Sequence, residues 1–216
     1  MIEGQLIVIE GVDGAGTTTH TRLLADNMAG RGLPVHATRE PSDGPVGMLL
    51  RQILTGRVVV PGLHGDRPSS WTTMALLFAA DRLDHLESEI TPNLMDGVNV
   101  ISDRYVPSSV AYQSLTSGAG ADVVAWVKEV NRRARTPDLT IVLDIPAEVA
   151  AERRRTRTRG RDLYDDEALQ LSLCDFYRTM ETHFPGERFV HVDSNRNVEA
   201  VSAEIMAQVR KLRGEA

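Results

Sequence analysis

Between Leu6 and Thr21 the chain reads LIVIEGVDGAGTTTHT, a set of residue types suited to holding a polyanion. Gly11, Gly14 and Gly16 can adopt backbone angles that a Cβ disfavours, so successive amide N–H groups can turn inward. A helix opening at Thr17 adds its unsatisfied N–H groups and the positive end of its dipole. The spacing from Gly11 to Thr18 is G-x-x-x-x-G-x-T, which fits the Walker A pattern at both glycines and at the terminal hydroxyl. Gly11, Val12, Asp13, Gly14, Ala15, Gly16, Thr17, Thr18 and Thr19 are therefore the candidate lining of an ATP phosphate site, with Thr18 where Mg²⁺ is normally held. Thr17 stands where the pattern asks for lysine. Loss of one preorganised charge costs on the order of 10²–10³ in turnover, so another cation has to take its place. The lysines are Lys128 and Lys211, both far from the loop in sequence, so the substitute is expected to be an arginine.

Strand and helix signals alternate along the chain. Apolar runs at 6–10, 35–38, 98–102, 139–145 and 188–192 read as buried strands. Helices are expected over 17–29, 44–54, from Ser69 or Ser70 until Pro92, over 108–115, 122–134, from Pro146 into the arginine cluster, over 164–183 and over 198–212. The stretch 56–68 is rich in glycine and proline and reads as loop. Strands that are apolar along their length and separated by helices indicate a parallel sheet covered on both faces, a three-layer α/β/α architecture with five strands. In such sheets ligands sit outside the carboxyl ends of the strands. The polar residues fall there: Asp13 and Thr18, Arg39 and Glu40, Asp103 and Arg104, and Asp144.

With 216 residues, of which 42% are hydrophobic, the chain can bury a large core, and one α/β domain over 1–216 with a small mobile insertion is the simplest organisation. A formal charge of −6 argues against broad nucleic-acid binding, and no apolar run approaches membrane-spanning length. The single cysteine, Cys174, rules out an internal disulfide and agrees with a reducing cytosol. No signal peptide is expected before the first strand, so a cytoplasmic location follows. The six histidines show no metal-ligand spacing.

Residues 101–113, ISDRYVPSSVAYQ, resemble the thymidylate kinase signature. The resemblance continues through GVDGAG with Thr18, TREP at 38–41, LLFAADR at 76–82, PDLTIVLD at 137–144 and the arginine-rich run ERRRTRTRGRD at 152–162. It implies a P-loop nucleoside-monophosphate kinase fold, transfer of the γ-phosphoryl group of ATP to dTMP, Mg²⁺ as cofactor and a homodimer, with the helix around 74–86 as partner surface. It also implies that Asp13 accepts from the acceptor's 3′-hydroxyl, that Arg39, Arg51 and Arg104 face its phosphate, and that Phe78 stacks on thymine while Arg82 bonds its edge. Tyr112 would crowd the 2′ position, Ser109 and Gln113 would touch the base, and Asp103 would act in the outer shell of Mg²⁺.

The arginine run resembles the lid that folds over ATP in this family, here about 153–165. Arg153 is implied in ATP binding, and Arg157 and Arg159, with Asp13 and Arg104, in catalysis. Relatives with glycine at the position of Gly14 generally draw the catalytic arginine from the lid, so lid arginines, with Arg104, are expected to replace the charge lost at Thr17. Taken alone, Phe78 reads as core, Asp103–Arg104 admits a structural ion pair as the lesser alternative, and the arginine run reads equally well as a solvated helix face or a nucleic-acid patch. A kinase for another monophosphate and a pseudokinase that only binds nucleotide are the rival readings.

Overall fold

The computed structural model describes residues 3–62, 65–118, 121–156 and 163–215. Its centre is a five-stranded parallel sheet in the order β2-β3-β1-β4-β5, built from β1 (Leu6–Glu10), β2 (Val35–Arg39), β3 (Asn99–Asp103), β4 (Leu139–Asp144) and β5 (Phe189–Asp193). Residues of β1, β3 and most of β4 are buried, which a strand needs when helices cover both faces. Alternate side chains of β1 show the two faces. Ile7 and Ile9 pack in one cluster with Leu24 and Met28, whereas Leu6 and Val8 pack with Leu86, Ile90 and Leu94.

The helices are α1 (Thr17–Gly30), α2 (Pro45–Leu54), α3 (Trp71–His85), α4 (Thr91–Met95), α5 (Val106–Ser117), α6 (Ala121–Val130), α7 (Ala147–Arg155), α8 (Glu167–Tyr177) and α9 (Val198–Leu212). Among the described residues no helix is long and apolar enough to cross a membrane.

Three boundaries differ from the sequence expectation. The helix capped by Ser70, whose side chain accepts from the Thr73 N–H, does not stop at Pro92. It passes through a π-helical turn, Leu86–Ile90, into α4, where Pro92 occupies the first turn. The segment 164–183 is not one helix: Asp166 caps α8 by accepting from the Leu169 N–H at 2.9 Å, and a 3₁₀ turn, Met180–His183, follows after Tyr177. Finally, α6 ends at Val130, and the next residue, Asn131, turns its side chain back to the Val127 carbonyl at 2.8 Å.

Register places β-strand ends side by side. Ile9 pairs with Asp103, and Arg39 pairs with Asp103 from the other side. The polar strand ends of the sequence are thus neighbours along one edge of the sheet.

Candidate active site

The loop after β1 has the conformation that the glycines permit. Gly11, Gly14 and Gly16 have φ of 154°, 98° and 100°, and Ala15 N–H closes a turn onto the Val12 carbonyl at 2.9 Å. A Cβ on Gly14 would lie 2.5 Å from the carbonyl oxygen of Ala150, so α7 rests directly on the loop. Arg154, on the same helix, donates to the Asp13 carbonyl at 2.8 Å, and Arg153 bridges Gly14 and Ser194 carbonyls at 3.5 and 3.1 Å. Two guanidinium groups therefore sit on the backbone of the phosphate loop. Val12, Ala15 and Thr17 are buried, while Thr18 and Thr19 at the start of α1 are exposed.

Thr18 donates its hydroxyl to Asp103 Oδ2 at 2.5 Å. The other oxygen, Asp103 Oδ1, is buried without a hydrogen-bond partner. A hydroxyl beside a carboxylate with one vacant acceptor is the donor set that suits a hydrated divalent cation.

On the other side of Asp13 lies a polar cluster. Arg104 donates to Asp13 Oδ1 at 2.6 Å, and the Tyr112 hydroxyl and Gln170 Nε2 approach Oδ2 at 3.2 and 3.4 Å. Arg104 adopts φ of 74°, in the left-handed region that non-glycine residues seldom occupy. Its second nitrogen reaches the hydroxyls of Ser108 at 3.1 Å and Tyr177 at 3.3 Å, and its guanidinium lies 5.5 Å from the Tyr112 ring. Burial opposes its charge, and Tyr112, Asp13, Tyr177 and Asp103 more than offset that, holding it a cation. Burial likewise pushes the phenol of Tyr112 far up, so it stays a neutral donor.

Beneath this cluster is Glu10, fully buried, which accepts from the Tyr105 N–H at 2.8 Å, the Ser108 N–H at 3.1 Å, the Ser108 hydroxyl at 2.6 Å and the Tyr177 hydroxyl at 3.1 Å. Burial raises its pKa above 4.5, against the pull of Arg104 and these donors. Glu10 fixes the start of α5 and, through Ser108 and Tyr177, the surroundings of Arg104.

The thymidylate kinase family model matches residues 9–205. Curated relatives of similar length cover nearly the whole chain: a "Probable thymidylate kinase" of Thermococcus kodakarensis is 38% identical over 210 residues, 97% of this chain and 98% of the relative. A "Thymidylate kinase" of Neisseria meningitidis serogroup B is 34% identical over 203 residues, 93% of this chain and 94% of the relative. The chain belongs to the thymidylate kinase family.

Other residues expected from the resemblance to the thymidylate kinase family fall in two further groups. Arg39 and Arg51, from β2 and α2, both donate to Asp43 Oδ1, at 2.8 and 3.0 Å, and Arg51 also reaches the Pro41 carbonyl at 2.7 Å. The Glu40–Pro41 peptide bond is cis. Phe78 is half-buried and packs on core side chains of two clusters, so it combines apolar support with an open face.

Arg82 is 1% exposed. It donates to Glu40 Oε2 at 2.5 Å and to the Ser109 hydroxyl at 3.1 Å, and also to Asn131 Oδ1. Gln113 reaches the Tyr164 hydroxyl at 3.4 Å, and the Tyr164 ring lies 5.0 Å from that of Tyr112. His85, beside Glu40, bonds the Thr38 hydroxyl at 2.7 Å. Burial opposes its protonation, and Glu40, Glu89 and Asp81 outweigh burial, raising it above 6.5.

Arg157 and Arg159 lie outside the described residues. Leu163, at the exit of the same segment, donates its N–H to the Leu54 carbonyl at 2.9 Å. The sequence reading missed Glu10, Asn131, Gln170 and Tyr177, and it placed Arg154 in the lid run without its contact to the Asp13 carbonyl. Glu10 was detectable as a lone charge inside an apolar strand. The other three carry no local signal, because nothing nearby in sequence marks where their side chains arrive.

Proposed function

We propose that this chain transfers the γ-phosphoryl group of ATP to dTMP, giving dTDP and ADP. The observation that carries this reading is the double placement of Asp13. Its backbone belongs to the phosphate loop, and its carboxylate belongs to the Arg104–Tyr112 cluster, so one residue joins a donor site to an acceptor site.

Phosphoryl transfer asks the protein to align two phosphates and stabilise charge. The N–H groups of the glycine loop and of the α1 N-terminus hold the ATP phosphates, and Arg153, beside Ser194, borders them. Thr18 would hold Mg²⁺ with Asp103 in its outer shell, and the ion would supply positive charge against the phosphates. Arg39, Arg51 and Arg104 hold the acceptor phosphate. Asp13 accepts from the 3′-hydroxyl, and Tyr112 closes the 2′ side. Phe78 supports the thymine face, while Arg82, Ser109 and Gln113 meet its edge. Arg82 Nε and Gln113 Oε1 are buried without partners, a donor and an acceptor that base-edge contacts would satisfy.

Lid residues about 153–165, closing over ATP, bring Arg157 and Arg159 to the transferred group and exclude water. They replace the lysine absent at Thr17. The enzyme is a single domain that acts in the cytoplasm as a homodimer through the α2–α3 face, where Met48, Leu49 and Leu76 are exposed by 58%, 41% and 52%.

A coupled assay with ATP, Mg²⁺ and a panel of monophosphates tests the proposal. Turnover is expected to be fastest with dTMP. A folded protein that binds nucleotide but turns over no acceptor would refute it, and a faster rate with another monophosphate would reassign the acceptor.

A further inference from the structure

We infer that Asn131 is a positioning residue for base recognition, holding the Arg82 guanidinium against rotation. The inference rests on the proposed role of Arg82 at the base edge.

Two of the partners of Arg82, Glu40 and Ser109, bind the same nitrogen, Nη2. Contacts at a single nitrogen act as a pivot and leave the rest of the group free to swing. Asn131 Oδ1 binds the other terminal nitrogen, Nη1, and supplies the second anchor. With both ends held, Nε has its direction set, and Nε is the buried donor without a partner. The Tyr105 ring, 5.1 Å from the centre of the guanidinium, limits movement on one side.

Asn131 is itself immobilised. Its side-chain Nδ2 donates to the Val127 carbonyl at 2.8 Å, its N–H to the Lys128 carbonyl at 3.1 Å, and its own carbonyl accepts from Ala134 at 2.8 Å. The Val127 bond decides which end of the carboxamide faces Arg82, since turning it round would set an NH₂ group against a cation and leave two donors facing donors or nothing. An amide also suits the place electrostatically. Glu40 already neutralises Arg82, and a second carboxylate would leave net negative charge buried where a neutral base must approach.

Steady-state kinetics of the full chain with dTMP, dUMP and dCMP, each with MgATP, test this. Asn131→Ala is expected to raise KM for dTMP roughly tenfold with kcat within about twofold, and to lower the kcat/KM preference for dTMP over dCMP by a similar factor. Asn131→Asp keeps an acceptor but adds a second buried carboxylate beside Glu40 and loses the donor to the Val127 carbonyl, so it should not recover the KM. Asn131→Leu keeps the volume and is read in the same way if the alanine variant does not fold. A folded variant with unchanged KM, or with an equal loss on every acceptor, overturns the inference. Arg82→Lys separates this from the underlying reading. If that substitution leaves the base preference intact, the role given to Arg82 fails; if it changes the preference and Asn131 variants do not, only the inference fails.

Discussion

Gly14 lies so close to Ala150 that a methyl group on it would meet the Ala150 carbonyl oxygen at 2.5 Å. Its φ of 98° is also one that a side chain disfavours. Gly14→Ala is therefore expected to destabilise the fold by about 1–3 kcal/mol and to push α7 off the phosphate loop. Because Arg153 and Arg154 ride on α7, kcat should fall more than stability alone explains. Denaturant unfolding and turnover of the same preparation check this, and unchanged kcat would show that the contact is incidental.

Replacement of the missing lysine by lid arginines predicts a graded result for single substitutions. Arg153, Arg154, Arg157 and Arg159 are each changed to alanine, and at least one should lower kcat on the order of 10²–10³. Thr17→Lys should help little, because the position is buried and the lid arginines would already supply the charge. A set in which every single variant stays within a few fold would place the compensating charge elsewhere.

Asp103 accepts from Thr18 and keeps one buried oxygen unpartnered. Asp103→Asn is expected to raise the Mg²⁺ concentration for half-maximal rate and to lower kcat by roughly 10–100-fold, with thermal stability changed little. A magnesium titration of the variant gives the answer directly; an unshifted titration curve removes Asp103 from the cation site.

His191 bonds Asp144 at 2.9 Å and Glu181 at 3.0 Å. The Asp144 hydrogen bond, then its charge and the contribution of Glu181, outweigh burial and raise the imidazole above 6.5. Protonation is favoured more in the folded than in the unfolded chain, so the stabilisation is complete below 6.5 and lost as pH rises through the raised folded value. Melting temperature against pH should show this decline, and His191→Gln should remove that part of it. The difference curve isolates His191 from His85, which is shifted in the same direction.

Homodimerisation through α2 and α3 predicts that Leu76→Glu yields a monomer by light scattering while unfolding stays cooperative. Leu76 is more than half exposed, as is Met48 of α2, and Leu49 is partly exposed, whereas Met74 and Leu86 on the same helical run as Leu76 are buried within the protomer. An unchanged mass would move the interface away from this face.

The amino-acid sequence by itself determined the parallel sheet, the phosphate loop and the positions of Asp13, Thr18, Asp103 and Arg104, because those depend on apolar runs, glycine spacing and strand ends that are local in the chain. Pro92 shows the limit of such reasoning: a π-helical turn upstream let the helix absorb a residue that normally ends one. Tertiary structure alone decided that Asn131 and Glu40 would share Arg82, that Tyr177 would join Glu10 to Arg104, and that α7 would rest on Gly14. Each of these joins residues dozens of positions or more apart, and a buried polar side chain is satisfied only by whatever the packed chain brings within reach.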